Sequence, residues 1–291
     1  MTQQVPGYVT ISTGGTIQNP GFAGGIAVHS GQTYTLSFYA RGSGTATFKA
    51  DFSGGLGGGS VETKLTSSWT QYNMTIEPTA SSGGGNTFYM SLVAGALADV
   101  AFLSLIPPLW KGQRLRADIA QAYADLGATH VRIPGGNDVE GHNYASRFQW
   151  DQSIGPCPSR PGRKGSWVGW NTEAFGLHEY LDFVESIGAE AVLGVYAGYS
   201  LDGSLAPDMS AVTKSTVNEL HYITDDASSG SKWAKLRAQN GRSQPWKLNL
   251  IEIRNEDNLD TAPKTYQNRF NTITTAINKE FGKGKFDLVS T

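Results

Sequence analysis

Apolar and polar residues alternate one for one along residues 33–40, 45–52, 69–76 and 88–93, the period of strands with one buried face. Glycine-rich breaks at 53–60 and 81–86 separate these runs. Many short strands at near-regular spacing predict a β-sandwich of jelly-roll type, with the glycine runs as its loops. The grammar changes after Pro107-Pro108, because proline interrupts both ladder and helix. Beyond it, Leu115, Ile119, Ala122, Tyr123 and Leu126 recur at helical spacing and Gly127 supplies a stop. Residues 130–133 then read as a strand. The cadence repeats with a helix striped by Leu177, Tyr180, Leu181, Val184 and Ile187, a strand at 191–196, a helical region at 210–226 and a strand at 248–253. A last helix carries Tyr266, Phe270, Ile273 and Ile277, followed by a short strand at 286–289. Helices alternating with continuous apolar strands imply a parallel sheet. The expected domains are residues 1–106 and 107–291. Four strands fall short of the roughly eight, over about 250 residues, that close a barrel. The second domain is therefore expected to be part of a (β/α)8 barrel from a longer protein, with an open four-stranded sheet as the alternative.

Composition narrows the chemistry. Of 291 residues 39% are hydrophobic, enough for a core, and only 16% are charged. With 23 Lys+Arg against 25 Asp+Glu, the net charge of -2 offers no basic field for nucleic acid or for an acidic membrane surface. The 7 Trp, 12 Tyr and 12 Phe favour stacking surfaces as well as core. The single Cys157 has no disulfide or metal-cluster partner, and His29, His130, His142, His178 and His221 never fall at a metal-ligand spacing. No metal or organic cofactor is implied. No apolar run approaches the roughly 20 residues of a membrane span, and residues 1–6 lack the blocks of a signal peptide. Asn73-Met74-Thr75 fits a glycosylation acceptor, a triplet common by chance.

The polar residues at the strand ends carry the candidate chemistry. Residues 247–259 read as a buried strand ending abruptly in Asn255-Glu256. A carboxylate beside an amide at the C-terminal lip of a barrel strand suits sugar hydrolysis: an acid to protonate a glycosidic oxygen, an amide to hold a hydroxyl. The plainer alternative is a Glu that caps the next helix, and the motif alone does not separate the two. The earlier strand ends add residues 132–141, opening Arg132-Ile133-Pro134-Gly135-Gly136-Asn137, whose glycines permit a tight exposed turn, and residues 197–203. Taken singly, the first is a plain turn with Arg132 in a structural ion pair. Three polar clusters at one end of consecutive strands point to a site.

These motifs, with Ile154-Gly155-Pro156, Arg160-Pro161-Gly162-Arg163, Asn171-Thr172 and Gly176-Leu177-His178-Glu179-Tyr180-Leu181, resemble the α-L-arabinofuranosidases of glycoside hydrolase family 51, in particular their fungal-type branch. The resemblance covers residues 99–291 strongly. Residues 8–107 are similar, less specifically, to that branch's carbohydrate-binding-module-like sandwich. It implies Glu256 as general acid/base, Asn255 as the amide on the substrate's 2-hydroxyl, and Arg132 and Asn137 as residues of the arabinose subsite. Trp167 matches a pocket aromatic, with packing under its loop as the alternative and Trp170 able to exchange roles with it. The implied reaction is retaining hydrolysis of terminal arabinofuranose from arabinoxylan or arabinan, by a secreted enzyme without cofactor. Its nucleophile would lie on a strand after Thr291 and its first barrel strand before residue 1, so this chain alone is expected to turn over weakly or not at all. Asp257, Asp260, Glu280 and Asp287 follow Glu256 in no matching context. Arg254 stands where the family usually has Gly, and is expected to pair with Glu256 and lower its pKa. A non-catalytic carbohydrate-binding protein and a barrel-clan xylanase or endoglucanase are the competing readings. The sequence carries no signal of oligomeric state.

Overall fold

A computed structural model describes residues 7–167, 169–256 and 265–290. The chain divides into two compact units, residues 1–122 and 123–291.

The first unit opens with ten strands, most of them alternating: β1 (Val9–Ser12), β2 (Thr16–Asn19), β3 (Ile26–Val28), β4 (Tyr34–Gly42), β5 (Gly44–Phe52), β6 (Gly58–Leu65), β7 (Thr70–Ile76), β8 (Ser82–Asn86), β9 (Phe88–Ala94) and β10 (Leu97–Ile106). They form two antiparallel four-stranded sheets, ordered β1-β10-β4-β7 and β2-β9-β5-β6, with β3 and β8 as a separate pair. Leu36, Phe38, Ala40 and Ile76 of one sheet and Phe48, Ala50, Met90 and Leu92 of the other are wholly buried in one core. The Phe38 and Phe48 rings meet edge to face at 5.0 Å, and burying each such side chain stabilises the fold by about 1.5–3 kcal/mol. The glycine runs are not simply loops. Gly58 opens β6, where a Cβ would come within 2.5 Å of the Ala50 carbonyl oxygen, so the strand needs glycine for close approach. Residues 82–86 form β8, paired with β3. A short hairpin of β11 (Leu109–Trp110) and β12 (Gln113–Arg116) leads into α1 (Ala117–Asp125), within which the unit boundary falls.

The second unit is a parallel sheet in sequence order: β13 (His130–Ile133), then, after α2 (Asn137–Glu140), the hairpin β14 (Arg163–Lys164) with β15 (Trp170–Asn171), and α3 (Leu177–Ser186), β16 (Glu190–Val195). Helices α4 (Met209–Thr224) and α5 (Lys232–Gln239) precede β17 (Leu250–Ile253), and α6 (Tyr266–Phe281) precedes β18 (Asp287–Val289). The helix starts follow local chemistry. Asp208 accepts from the Ser210 N–H at 2.8 Å ahead of α4, and Glu179 reaches back to the Gly176 N–H at 2.9 Å ahead of α3. Helix α5 has no strong apolar stripe to announce it. It is anchored by the wholly buried Arg237, which donates to the Tyr222 carbonyl at 2.6 Å and the Asp225 carbonyl at 2.5 Å. Leu193, Ile251, Ile253, Leu220 and Ile273 centre the core between sheet and helices. No helix among the described residues is long and apolar enough to cross a membrane.

Candidate active site at the sheet rim

The C-terminal ends of β13, β16 and β17 converge because the three strands are adjacent and parallel, with Arg132 level with Val192 and Gly194 level with Glu252. After β13 the chain reverses through Gly136, at φ 62° and ψ -149°, a region glycine enters readily, and starts the short helix α2. This turn brings Asn137 and Glu140 to the rim from one side. After β17, Arg254 (φ 79°) and Glu256 (φ 51°) both adopt left-handed backbone on either side of Asn255. Such a conformation costs on the order of 1–3 kcal/mol per residue and persists only where surrounding contacts impose it.

Those contacts centre on Glu140, which is 1% exposed. Its Oε1 accepts from Arg254 Nε at 3.1 Å, and its Oε2 accepts from the amides of Asn137 and Asn255, each at 3.4 Å. Burial pushes the Glu140 carboxyl above its ordinary pKa, with Arg254, Asn255 and Asn137 pulling the other way. The same two amides also face outward: Asn137 Nδ2 donates to Glu256 Oε2 at 3.3 Å, and Asn255 Nδ2 to the same oxygen at 3.4 Å. Two carboxylates thus share two amides, one carboxylate sealed inside and the other exposed at the lip. On the inner flank, Arg132 Nη2 donates to Asn255 Oδ1 at 2.7 Å while its Nε pairs with the Glu252 carboxylate, itself 2% exposed. Asn255 is held on both sides, so its amide orientation follows from its partners.

The rim therefore gathers Arg132, Asn137, Asn255 and Glu256 in one hydrogen-bonded set. The bonds of Glu256 run across the rim to the two amides. Arg254 behaves differently from the expectation: its ion pair is with Glu140, and its guanidinium lies 4.5 Å from the Tyr199 ring centre, so it turns into the core while Glu256 turns out. Residues 197–203 support the rim. Ser200, fully buried, donates to the Glu140 carbonyl at 3.1 Å and pairs with the Tyr196 hydroxyl at 3.0 Å. Glu140, Tyr199 and Ser200 fall inside the polar clusters read from the sequence but are given no role there, and Glu252 falls outside them. A lone acid inside the apolar strand Leu250-Ile251-Glu252-Ile253 was the available signal for Glu252, and its spacing one helical turn past Asn137 was the signal for Glu140.

The loop bearing Trp167 is tied to the same turn. Ser166 Oγ donates to the Asn137 carbonyl at 3.0 Å, and Arg163 bridges Asp138 at 3.3 Å and buried Glu173 at 2.6 Å. Trp167 is 79% exposed and Trp170 65% exposed, so the Trp167 ring is presented to solvent and not packed beneath its loop. Among the later acids, Glu280 engages His221 at 3.1 Å and Asp287 lies on β18, whereas Asp257 and Asp260 lie outside the described residues. No group of His, Cys, Asp and Glu among the described residues could hold a metal ion.

Residues 122–291 match the family described as "Alpha-L-arabinofuranosidase 1 domain". A probable alpha-L-arabinofuranosidase A of Aspergillus oryzae is 37% identical over 235 residues, 75% of this chain and 37% of that protein. An extracellular exo-alpha-L-arabinofuranosidase of Streptomyces chartreusis is 29% identical over 293 residues, 94% of this chain and 35% of that protein. The solved structure of an arabinose-bound family 51 α-L-arabinofuranosidase superposes on 97% of this chain and 48% of its own with a TM-score of 0.85, at 31% identity. The chain thus spans less than half the length of each of these relatives.

Proposed function

The chain belongs to the α-L-arabinofuranosidases of glycoside hydrolase family 51, and from that premise we propose that its rim holds a terminal α-L-arabinofuranosyl residue, with Glu256 as the general acid/base. The observation that carries this reading is the pair of amides, from β13's turn and from the end of β17, that fix one oxygen of an otherwise exposed Glu256 carboxyl. A proton donor for a glycosidic oxygen needs that combination of access and fixed direction. In a retaining mechanism Glu256 protonates the leaving oxygen, then takes a proton from the water that releases the sugar. Asn255 holds the 2-hydroxyl, Arg132 and Asn137 flank the ring, and the exposed Trp167 offers a stacking face.

Retention needs a second carboxylate, about 5 Å from the first, to attack the anomeric carbon. The two acids nearest by their bonding are poor nucleophiles. Glu140 is sealed behind the amides and paired with Arg254, and Glu252 is buried against Arg132. The parallel sheet is accordingly read as part of a (β/α)8 barrel, and the chain as carrying the acid/base portion of the site. Arabinoxylan or arabinan as substrate and secretion of the protein belong to the same proposal; the Streptomyces relative is named extracellular.

The test is release of p-nitrophenol from p-nitrophenyl α-L-arabinofuranoside, together with calorimetric binding of arabinoxylo-oligosaccharides. The chain should bind the oligosaccharides and turn over weakly. Formate, a small external carboxylate, should raise the rate. Glu256→Gln should keep binding and lose hydrolysis of substrates with poor leaving groups. Fast turnover indifferent to Glu256→Gln, or cleavage of unsubstituted xylan chains instead, would overturn the assignment.

A further inference from the structure

Helix α4 turns Val212, Thr216, Glu219, Leu220 and Ile223 toward the core, and two of these positions are polar where helical periodicity calls for apolar side chains. Thr216 satisfies itself locally, donating to the Val212 carbonyl at 3.2 Å. Glu219 has no such recourse. It is 5% exposed, and its Oε1 is enclosed without a hydrogen-bond partner among the described residues. Buried polar atoms are almost always partnered by protein or by an ordered water.

Beside Glu219 lies a cavity of about 20 Å³, measured as room for the centre of a water molecule. It is lined by Ser215, Thr216 and Glu219 of α4, by Arg147 and Trp150, and by Tyr196 at the end of β16. A water needs roughly 10–15 Å³ and two to four polar partners, whereas an apolar void stays dry. We propose that this cavity is a built site for one internal water molecule, held by the Glu219 carboxyl between helix α4 and the sheet. The remaining partners are at hand. The Ser215 carbonyl is already filled, by the Trp150 indole N–H at 3.1 Å and by the helical bond of α4 from the Glu219 N–H, so the partners come from side chains. The Thr216 hydroxyl can accept while it donates. Arg147 is fixed in the wall by its bond to the Tyr144 carbonyl at 2.5 Å and by its stacking on the Tyr144 ring at 3.9 Å.

Burial, and secondarily Asp151, hold the Glu219 carboxyl well above the usual carboxylate range, which favours the neutral acid, the form with a proton to donate. The Tyr196 phenol facing the same cavity is also raised by burial and stays uncharged, leaving Arg147 as the cation in the wall. The folded state thus keeps a proton that the unfolded chain surrenders above about pH 4.3. Stability falls as pH rises from there toward the folded value.

Two measurements on the full chain test this. Water-oxygen relaxation dispersion, which counts long-lived internal waters, should give one fewer in Glu219→Leu than in the native chain. Melting temperatures should show Glu219→Gln gaining on the native chain as pH rises from about 5 to about 8, by at least about 3 °C. An unchanged water count overturns the site, and one fewer water with parallel pH profiles overturns the neutral carboxyl as its donor. If Glu219→Leu does not fold, crystallography of the native chain decides: density for a water within hydrogen-bond reach of Glu219 Oε1 supports the site, and an empty cavity ends it.

Discussion

The two units bury their interiors on opposite terms. In the sandwich unit, Asn86 is the one polar residue among the described residues that is buried, and everything else in its core is apolar. The sheet unit encloses Glu140, Arg160, Arg163, Glu173, Glu219, Arg237, Glu252, Arg254 and Arg269. Desolvating an ion costs several kcal/mol even after relaxation, and a buried pair is often no more stabilising than a well-packed apolar pair. The sheet unit therefore accepts a cost that the sandwich avoids. Its ions fall into sets that fix loop and rim geometry: Arg160 with Glu179, Arg163 with Glu173, Arg132 with Glu252, Arg254 with Glu140. Where a fold spends stability on buried charge, side-chain position is what it gains.

The comparison can be broken most sharply at Glu140. Glu140→Ala leaves the Arg254 guanidinium buried beside a void, and urea unfolding should show a loss of about 3–5 kcal/mol; a loss below about 1 kcal/mol would mean the pair is solvated. Leu36→Ala in the sandwich should cost about 2–5 kcal/mol through its cavity, with a value that does not change between about pH 5 and pH 8, since no titrating group contacts a purely apolar core. His178 sharpens the contrast. Burial lowers its pKa, with Asp182 at 3.5 Å opposing, so the unfolded imidazole binds a proton more readily and stability falls as pH drops through about 6.5. Melting curves of His178→Gln should flatten that acid limb and leave the neutral value near the native one. Least visible in stability is Trp167→Ala, expected within about 0.5 kcal/mol because the ring is exposed, while affinity electrophoresis on arabinoxylan should show weakened retardation. Unaltered migration would remove the stacking role.

Much of this architecture was legible where side chains carry a period. Strands β4, β5, β7 and β9 and helices α3, α4 and α6 lie where alternation and helical stripes put them. Strand β8 was hidden because glycine has no side chain to alternate; β6 does alternate at Val61, Thr63 and Leu65, but it opens inside a glycine run, where Gly58 marks a close approach of strands instead of a flexible link. Arg132, Asn137, Asn255 and Glu256 do converge, since parallel order puts consecutive strand ends together. The partner of Arg254 was misread because nearness in sequence was allowed to stand for direction in space. Left-handed backbone at residues 254 and 256 sends one side chain inward and the other out, and Glu140 is 114 positions away, beyond any local pattern.

That left-handed arginine also constrains what can replace it. A glycine would occupy its backbone without strain but would strand the acid of α2 in a dry interior; conversely, an arginine arriving before that acid would itself be stranded. Without the guanidinium, the two asparagine amides would be left to hold that acid, and protonation would be its least costly way of staying buried.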